Sequence, residues 1–200
     1  CSTVVSMAVI EEAYSYQTIS QYKSKIGMLI TYISKIYFSL IMLAVPAIYI
    51  LYSVVFKNTE YYPSADYVFL LLLSALFTAL SNNYGSSFQV TGNTKYIFIT
   101  TVTGAIVSVT VSLLLVDSIS IYGILFGGVI GPVIMMLARA VYAKKVTGLN
   151  VDWRGNILQL ILGVFISIVL RKYRFLSVQV VVFAIVFAFV ILFKKKEIKS

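Results

Sequence analysis

Histidine is absent from this 200-residue sequence, cysteine occurs once, at position 1, and charged residues make up only 12% of the chain. A sequence without histidine or a second cysteine cannot form the usual zinc sites, a disulfide framework or a Cys–His nucleophile pair. The few acidic residues all lie in polar gaps or at the ends of apolar runs: Glu11, Glu12, Glu60, Asp66, Asp117, Asp152 and Glu197. We therefore expect a protein that is not an enzyme, with no catalytic residues, metal site or cofactor in this chain.

Apolar residues dominate what remains, at 60% of the chain. A soluble domain is typically about 45–50% apolar and about 25% charged, so a chain of this length carries more apolar surface than a soluble fold can bury. The surplus predicts an all-α, polytopic bundle of transmembrane helices in the cell membrane. The net charge of +9 comes mostly from basic residues in short gaps between apolar runs, which favours a role in membrane orientation over nucleic-acid binding.

The apolar runs predict about six complete membrane helices and the end of a seventh. The sequence opens at Cys1 inside an apolar run that is too short to cross a bilayer, so we expect a fragment whose N-terminal lobe precedes it; a lipid-modified Cys1 is the alternative. The predicted organisation is a truncated membrane helix at 1–10, a cytoplasmic amphipathic connector at 11–35, four membrane helices at 36–143, a cytoplasmic loop at 144–155, a membrane hairpin at 156–193 and a basic cytoplasmic tail at 194–200.

Lysine and arginine divide unevenly between the two ends of these helices. One side carries Lys23, Lys25, Lys35, Lys95, Lys144, Lys145, Arg154, Lys194, Lys195, Lys196 and Lys199, and the other carries Lys57, Arg171, Lys172 and Arg174. The positive-inside rule places the first side in the cytoplasm. The basic loop at 171–174 is discordant, because this assignment puts it on the outer side.

Gly123, Gly127 and Gly131 recur every four residues in one predicted membrane helix. Glycines at this spacing line one face and let a neighbouring backbone approach closely, which is typical of helix packing in lipid. This glycine stripe predicts packing within the bundle. Homodimerisation and a thinned wall beside a substrate cavity are the alternatives.

Two prolines and one arginine also lie inside predicted membrane helices. Pro46 and Pro132 each remove a backbone hydrogen bond, which predicts either a packing kink or a hinge, and Pro132 frees the carbonyl of Gly128. Arg139 lies seven residues after Pro132, on the same helix face. A cation inside a membrane helix is a functional hypothesis by default, although a side chain this near the helix end could also snorkel to the headgroups.

Small polar residues follow one face of two consecutive predicted helices. The first polar face consists of Ser74, Thr78, Asn82, Gly85 and Gln89, and the second consists of Thr101, Gly104, Ser108 and Ser112. A polar face in lipid must meet another helix or water, so the two faces predict either hydrogen bonds between helices or a water-filled path. We expect the two faces to oppose each other, and Arg139, Asn82, Gln89 and Thr78 to line a substrate cavity.

The order of these features resembles the C-terminal half of polysaccharide exporters, which are flippases of the multidrug/oligosaccharidyl-lipid/polysaccharide superfamily. The resemblance covers residues 10–145. Its elements are a Pro46-bearing span after an amphipathic connector, a span ending at Leu115-Val116, and the segments Gly92-Asn93-Thr94-Lys95 and Tyr122-Gly123-Ile124-Leu125-Phe126-Gly127.

This resemblance implies the C-terminal lobe of a MATE-like, two-lobe transporter that moves a lipid-linked oligosaccharide or polysaccharide precursor across the membrane by alternating access. Its partners would be that lipid-linked substrate, membrane lipids and the N-terminal lobe of the same chain. A pyrophosphate in the substrate would favour a cation such as Arg139. Two alternatives remain open: a multidrug or ion-coupled exporter of the same superfamily, and a fragment of a membrane-embedded glycosyl- or acyltransferase.

Overall fold

The computed structural model describes residues 7, 11, 19–147, 154–172 and 176–198. Its elements in chain order are α1 (Ile19–Val55), a 3-10 turn (Tyr62–Ser64), α2 (Ala65–Val90), α3 (Lys95–Ile119), α4 (Ile121–Thr147), α5 (Arg154–Lys172) and α6 (Leu176–Ile198). The all-α fold class is therefore confirmed for the described part of the chain. The predicted truncated helix at 1–10 lies outside the described residues except for Met7.

Four helical segments among the described residues are long and apolar enough to cross a membrane: Ile26–Val55, Tyr62–Val90, Lys95–Ile119 and Ile121–Lys145. The shortest of them have 25 residues. At 1.5 Å per residue they cover about 37 Å, which exceeds the roughly 30 Å of a bilayer core. These segments indicate an integral membrane protein. The described part of α6 contributes a shorter apolar segment, Ser177–Ala188, so complete spans in α5 and α6 stay a prediction.

Helix α1 runs without a break from Ile19 to Val55 and contains Pro46. The predicted connector and the first predicted span are therefore parts of one helix. The hydroxyl of Ser34, near the predicted boundary between them, donates to the carbonyl oxygen of Ile30 at 2.7 Å. This internal bond lets a buried polar side chain lie within the helix. The point at which α1 enters the membrane stays a prediction.

Helix α2 ends in a glycine C-cap, which lies in the polar gap before α3. Gly92 has a φ of +71°, the left-handed conformation that glycine adopts at least cost. The N–H of Asn93 donates to the carbonyl oxygen of Phe88 at 2.9 Å, and the N–H of Gly92 donates to that of Gln89 at 3.2 Å. These two bonds form a Schellman motif, which ends α2 and lets α3 begin at Lys95.

Only Ser120 separates α3 from α4. Its φ is 51°, its N–H donates to the carbonyl oxygen of Val116 at 2.8 Å, and its own carbonyl accepts the N–H of Gly123 at 3.0 Å. The sequence predicts the gap two residues earlier, at Asp117-Ser118. Those residues instead complete the last turn of α3, where their polar side chains are exposed without leaving the helix.

The chain divides into two compact units, the first made of Cys1–Ser34 and Leu70–Trp153 and the second of Lys35–Phe69 and Arg154–Ser200. In the first unit, α3 packs closely along α4. Fully buried residues of the first unit include Ile26, Ile30, Leu80 and Phe88, and those of the second include Val45, Leu170 and Gln179.

Cysteine accessibility tests the predicted orientation. Lys95 and Asp117 are exposed residues near opposite ends of α3, about 33 Å apart along the helix axis at 1.5 Å per residue. In a Cys1→Ser background, we expect Asp117→Cys to react with a membrane-impermeant thiol reagent on intact cells. Lys95→Cys should react only after permeabilisation. The reverse labelling pattern would invert the topology.

Candidate functional site around Arg139

Small residues bring the backbones of α3 and α4 into contact. A methyl group on Gly131 would lie 2.6 Å from Cβ of Ser108 and 2.8 Å from the carbonyl oxygen of Gly104. A methyl group on Gly123 would lie 2.6 Å from the carbonyl carbon of Leu115. Real Cβ atoms essentially never approach other atoms this closely, so the glycine stripe of α4 lies directly against α3.

The polar face of α3 also contacts α4. Ser108 and Ser112 lie against Gly127, and Thr101 accepts a hydrogen bond from Arg139. The polar face of α2 likewise meets α4, where Ser74 bonds Gly128 and Asn82 bonds Arg139. The two faces that we expect to oppose each other therefore both lie against α4.

Helix α2 supplies the hydrogen bond that Pro132 removes from α4. Pro132 has no N–H to donate to the carbonyl oxygen of Gly128. The hydroxyl of Ser74 donates to that oxygen instead, at 2.6 Å. Membrane helices tolerate proline where a neighbouring side chain satisfies the freed carbonyl in this way. The Ser74 end of the polar face is thus fixed to α4.

A double-mutant cycle tests the bond between Ser74 and Gly128. We expect Ser74→Ala to lower the free energy of unfolding by about 1 kcal/mol, because the carbonyl loses its partner. In a Pro132→Ala background the restored N–H occupies that carbonyl, so Ser74→Ala should cost less, with a coupling energy of about 0.5–1 kcal/mol. Unfolding of the four proteins by SDS in detergent micelles measures the cycle.

Thr78→Ala is the matched control for this cycle, because the Thr78 hydroxyl donates within its own helix, to the carbonyl oxygen of Ser74 at 2.8 Å. Its cost should not depend on residue 132. If Ser74→Ala also costs the same in both backgrounds, Ser74 does not serve the freed carbonyl.

Arg139 of α4 reaches both α2 and α3, and is only 3% exposed. Its Nε donates to Oγ1 of Thr100 at 3.0 Å, and its Nη2 donates to Oγ1 of Thr101 at 2.8 Å. Its Nη1 donates to the carbonyl oxygen of Ser81 at 3.0 Å and to Oδ1 of Asn82 at 3.3 Å. The guanidinium therefore joins three helices through four hydrogen bonds.

Three aromatic residues in contact with one another, Phe88, Tyr96 and Tyr142, come nearer the adjacent helix ends in sequence than the residues that bond Arg139. The ring centroids of Phe88 and Tyr96 are 5.6 Å apart, and those of Tyr96 and Tyr142 are 4.8 Å apart. Tyr96 is about one turn from Thr100 and Tyr142 about one turn from Arg139, whereas Phe88 is nearly two turns from Asn82. Because its guanidinium is bonded to α2 and α3 and the residue is buried, Arg139 does not snorkel towards the headgroups in this structure.

All four acceptors of Arg139 are neutral, and none of the described carboxylates pairs with it. Within the part of the chain that the structure describes, its positive charge is therefore not compensated. An unpaired charge inside a membrane protein has a large desolvation cost. This cost points to a role that an apolar side chain could not fill.

Two of the four side chains and carbonyls that bond the guanidinium belong to exposed residues. Asn82 and Thr101, which accept from Nη1 and Nη2, are exposed, whereas Ser81 and Thr100 are buried. The bond to Asn82 is the longest of the four. An anion that displaces Asn82 could reach Nη1 and Nη2 together, which is the bidentate geometry that arginine uses for phosphates. The hydroxyl of Ser81, buried and without a hydrogen-bond partner among the described residues, adds a further polar atom.

The structure brings together two of the four predicted cavity residues, Arg139 and Asn82. Thr78 is half-buried one turn earlier in α2, and Gln89 is exposed near the end of that helix. Neither is a hydrogen-bond partner of Arg139. The part of all four residues in a substrate cavity stays a prediction.

No known protein family, curated protein or solved structure matches this chain. The described residues also contain no group of histidine, cysteine or acidic residues that could hold a metal ion. The fold and the site therefore define a class only: an integral membrane protein with a buried cation between three of its helices.

Proposed function

We propose that this chain is part of a membrane transporter that exports a lipid-linked oligosaccharide or polysaccharide precursor by alternating access. The proposal rests on Arg139, a buried cation without a carboxylate partner among the described residues. Its four hydrogen bonds go to neutral acceptors, and no carboxylate among the described residues offsets the desolvation of its charge. A substrate with a phosphate or pyrophosphate group would bring the negative charge that the site lacks.

The depth of Arg139 suits a lipid-linked substrate. Arg139 precedes Lys144, near the basic end of α4, by about 7 Å along the helix axis, so it lies close to the predicted cytoplasmic interface. A lipid-linked precursor has its hydrocarbon chain in the bilayer and its anionic linkage near the headgroups. The resemblance of the order of spans to polysaccharide exporters supports the same substrate class.

Asn82 makes a reversible binding step feasible. When no substrate is bound, its amide oxygen satisfies Nη1 of Arg139. Because Asn82 is exposed and its bond is long, a phosphate oxygen could replace that amide oxygen without breaking the shorter bonds to Thr100 and Ser81. The site would then hold the anion during the change between inward-facing and outward-facing states, and Asn82 would return on release.

Reconstitution into liposomes tests the proposal. The protein is inserted into vesicles that contain a fluorescent lipid-linked oligosaccharide, and an impermeant reductant then reports how fast the label crosses the bilayer. We expect faster crossing than in protein-free vesicles, and no acceleration for a labelled zwitterionic phospholipid. Equal acceleration of both lipids would indicate a general scramblase, and acceleration of neither would refute the proposal.

A further inference from the structure

Gly85 of α2 lies directly against the guanidinium of Arg139. It is buried, and it follows Ser81 and Asn82, the two α2 residues that accept from Nη1, by about one turn. A methyl group on Gly85 would lie 3.1 Å from Nη1 and 3.6 Å from Cζ of Arg139. The first distance is shorter than ordinary van der Waals contact. The guanidinium therefore reaches its place because residue 85 has no side chain.

Gly85 differs from the glycine stripe of α4 in what it contacts. A methyl group on Gly123 or Gly131 would meet backbone atoms of α3. Among the described residues outside the backbone of α2, a methyl group on Gly85 would meet only atoms of Arg139 within 4 Å. The missing side chain at residue 85 thus makes room for one charged group and not for a neighbouring helix.

One N–H group of the guanidinium has no acceptor among the described residues. Arginine has one N–H on Nε and two on each Nη. Nη1 donates to both Ser81 and Asn82, whereas Nη2 donates only to Thr101. The second N–H of Nη2, together with the N–H that Asn82 would release, could hold two oxygens of one phosphate. Both nitrogens must keep their positions for this contact to form.

We propose that Gly85 is a positioning residue for Arg139, which lets Nη1 lie against α2 so that the guanidinium presents two N–H groups to one phosphate. The inference rests on the proposed function, because it concerns how the same site binds the anionic linkage. With a methyl group at residue 85, Nη1 must move by a few tenths of an ångström. Its bonds to Ser81 and Asn82, at 3.0 and 3.3 Å, would lengthen, and the two N–H groups would lose their alignment on one phosphate.

Binding of a prenyl pyrophosphate and of the matching prenyl alcohol to the purified protein tests this role. The ratio of the two affinities measures what the anion contributes, and a general loosening of the helices would not change it. We expect Gly85→Ala to lower this ratio about fivefold or more, because the two-oxygen contact is lost. Gly128→Ala, in the same compact unit, is the matched control and should leave the ratio unchanged, because its methyl group meets no atom within 4 Å.

Two further variants separate the position of the guanidinium from other effects. Asn82→Ala removes the competing acceptor without pushing the guanidinium, so it should raise the ratio by about twofold to threefold. Lysine has no planar fork for residue 85 to displace. In an Arg139→Lys background, Gly85→Ala should therefore change the ratio by less than about twofold.

The outcomes distinguish this inference from the proposed function. A ratio in Gly85→Ala that equals the wild-type ratio, that rises as in Asn82→Ala, or that falls equally in the Arg139→Lys background would overturn the positioning role alone. A Gly85→Ala protein that does not fold would also overturn it, because Gly85 would then serve packing. A wild-type ratio near one would contradict the anion site itself, and the proposed function with it.

Discussion

Replacing Gly127 with alanine should force α3 and α4 apart and lower the free energy of unfolding by about 2–3 kcal/mol. The added methyl group would collide with the hydroxyl of Ser112. It would also lie 2.5 Å from the carbonyl oxygen of Ser108 and 2.9 Å from the backbone nitrogen of Ser112. A hydroxyl can rotate away, but these backbone atoms can move only with the whole helix. Unfolding by SDS in detergent micelles measures the loss.

The neighbouring Gly128 provides the matched control. A methyl group on Gly128 would meet no atom within 4 Å. Because alanine is a better helix former than glycine, Gly128→Ala should leave stability unchanged or raise it by up to about 1 kcal/mol. The two variants differ only in the face on which the methyl group lies. If both destabilise the protein equally, α3 and α4 do not pack through the glycine stripe.

Replacing Arg139 with methionine should abolish substrate translocation while leaving the free energy of unfolding within about 1 kcal/mol of the wild type. Methionine is similar in length and has no desolvation cost. The two threonine hydroxyls left behind keep a partner, because that of Thr100 still donates to the carbonyl oxygen of Tyr96 at 2.7 Å, and that of Thr101 to the carbonyl oxygen of Ile97 at 2.7 Å. Vesicle translocation and SDS unfolding, measured on the same preparation, give the two readouts.

Two further variants separate charge from structure at this site. Arg139→Lys keeps the cation but loses the planar fork, so translocation should fall to an intermediate level. Lys144→Met removes an exposed cation from the same helix and should leave translocation unchanged. If Arg139→Met instead unfolds the protein in proportion to the lost transport, Arg139 is a structural link between helices and not a binding residue.

The sequence predicted the position of each apolar helix and the residues along its faces. It did not predict which faces of neighbouring helices contact each other. Hydropathy and length located the four long apolar helices, and the spacing of Gly123, Gly127 and Gly131 marked a face that now lies against α3. Spacing within one helix cannot say which neighbour covers a face. The two polar faces were therefore expected to oppose each other, although both lie against α4.

The same limit applies to the site. Pro132 revealed the freed carbonyl of Gly128, but the donor Ser74 lies 54 residues earlier, and only the tertiary packing brings it there. Thr100 was missed because it is adjacent to Thr101, and an assignment by helix face selects only one of two successive residues. The bond to the carbonyl of Ser81 could not be predicted, because every residue has a backbone carbonyl and the residue type does not show which of them accepts a side-chain hydrogen bond.

Snorkelling of Arg139 was a reasonable alternative because the residue is near a helix end. It fails because the guanidinium is bonded to residues of α2 and α3 and is buried between those helices. Distance along a single helix therefore could not distinguish a cation that reaches the headgroups from one held inside.

The central claim, that Arg139 binds the anionic part of a lipid-linked substrate, is tested most directly by comparing two ligands. One is a prenyl-pyrophosphate-linked oligosaccharide, and the other is the same prenyl oligosaccharide with an uncharged linkage. Loss of a buried, charge-assisted partner typically costs 2–5 kcal/mol, so the wild type should prefer the charged ligand by about thirtyfold or more. In Arg139→Met that preference should fall to about onefold to threefold. An equal preference in the two proteins would contradict the account.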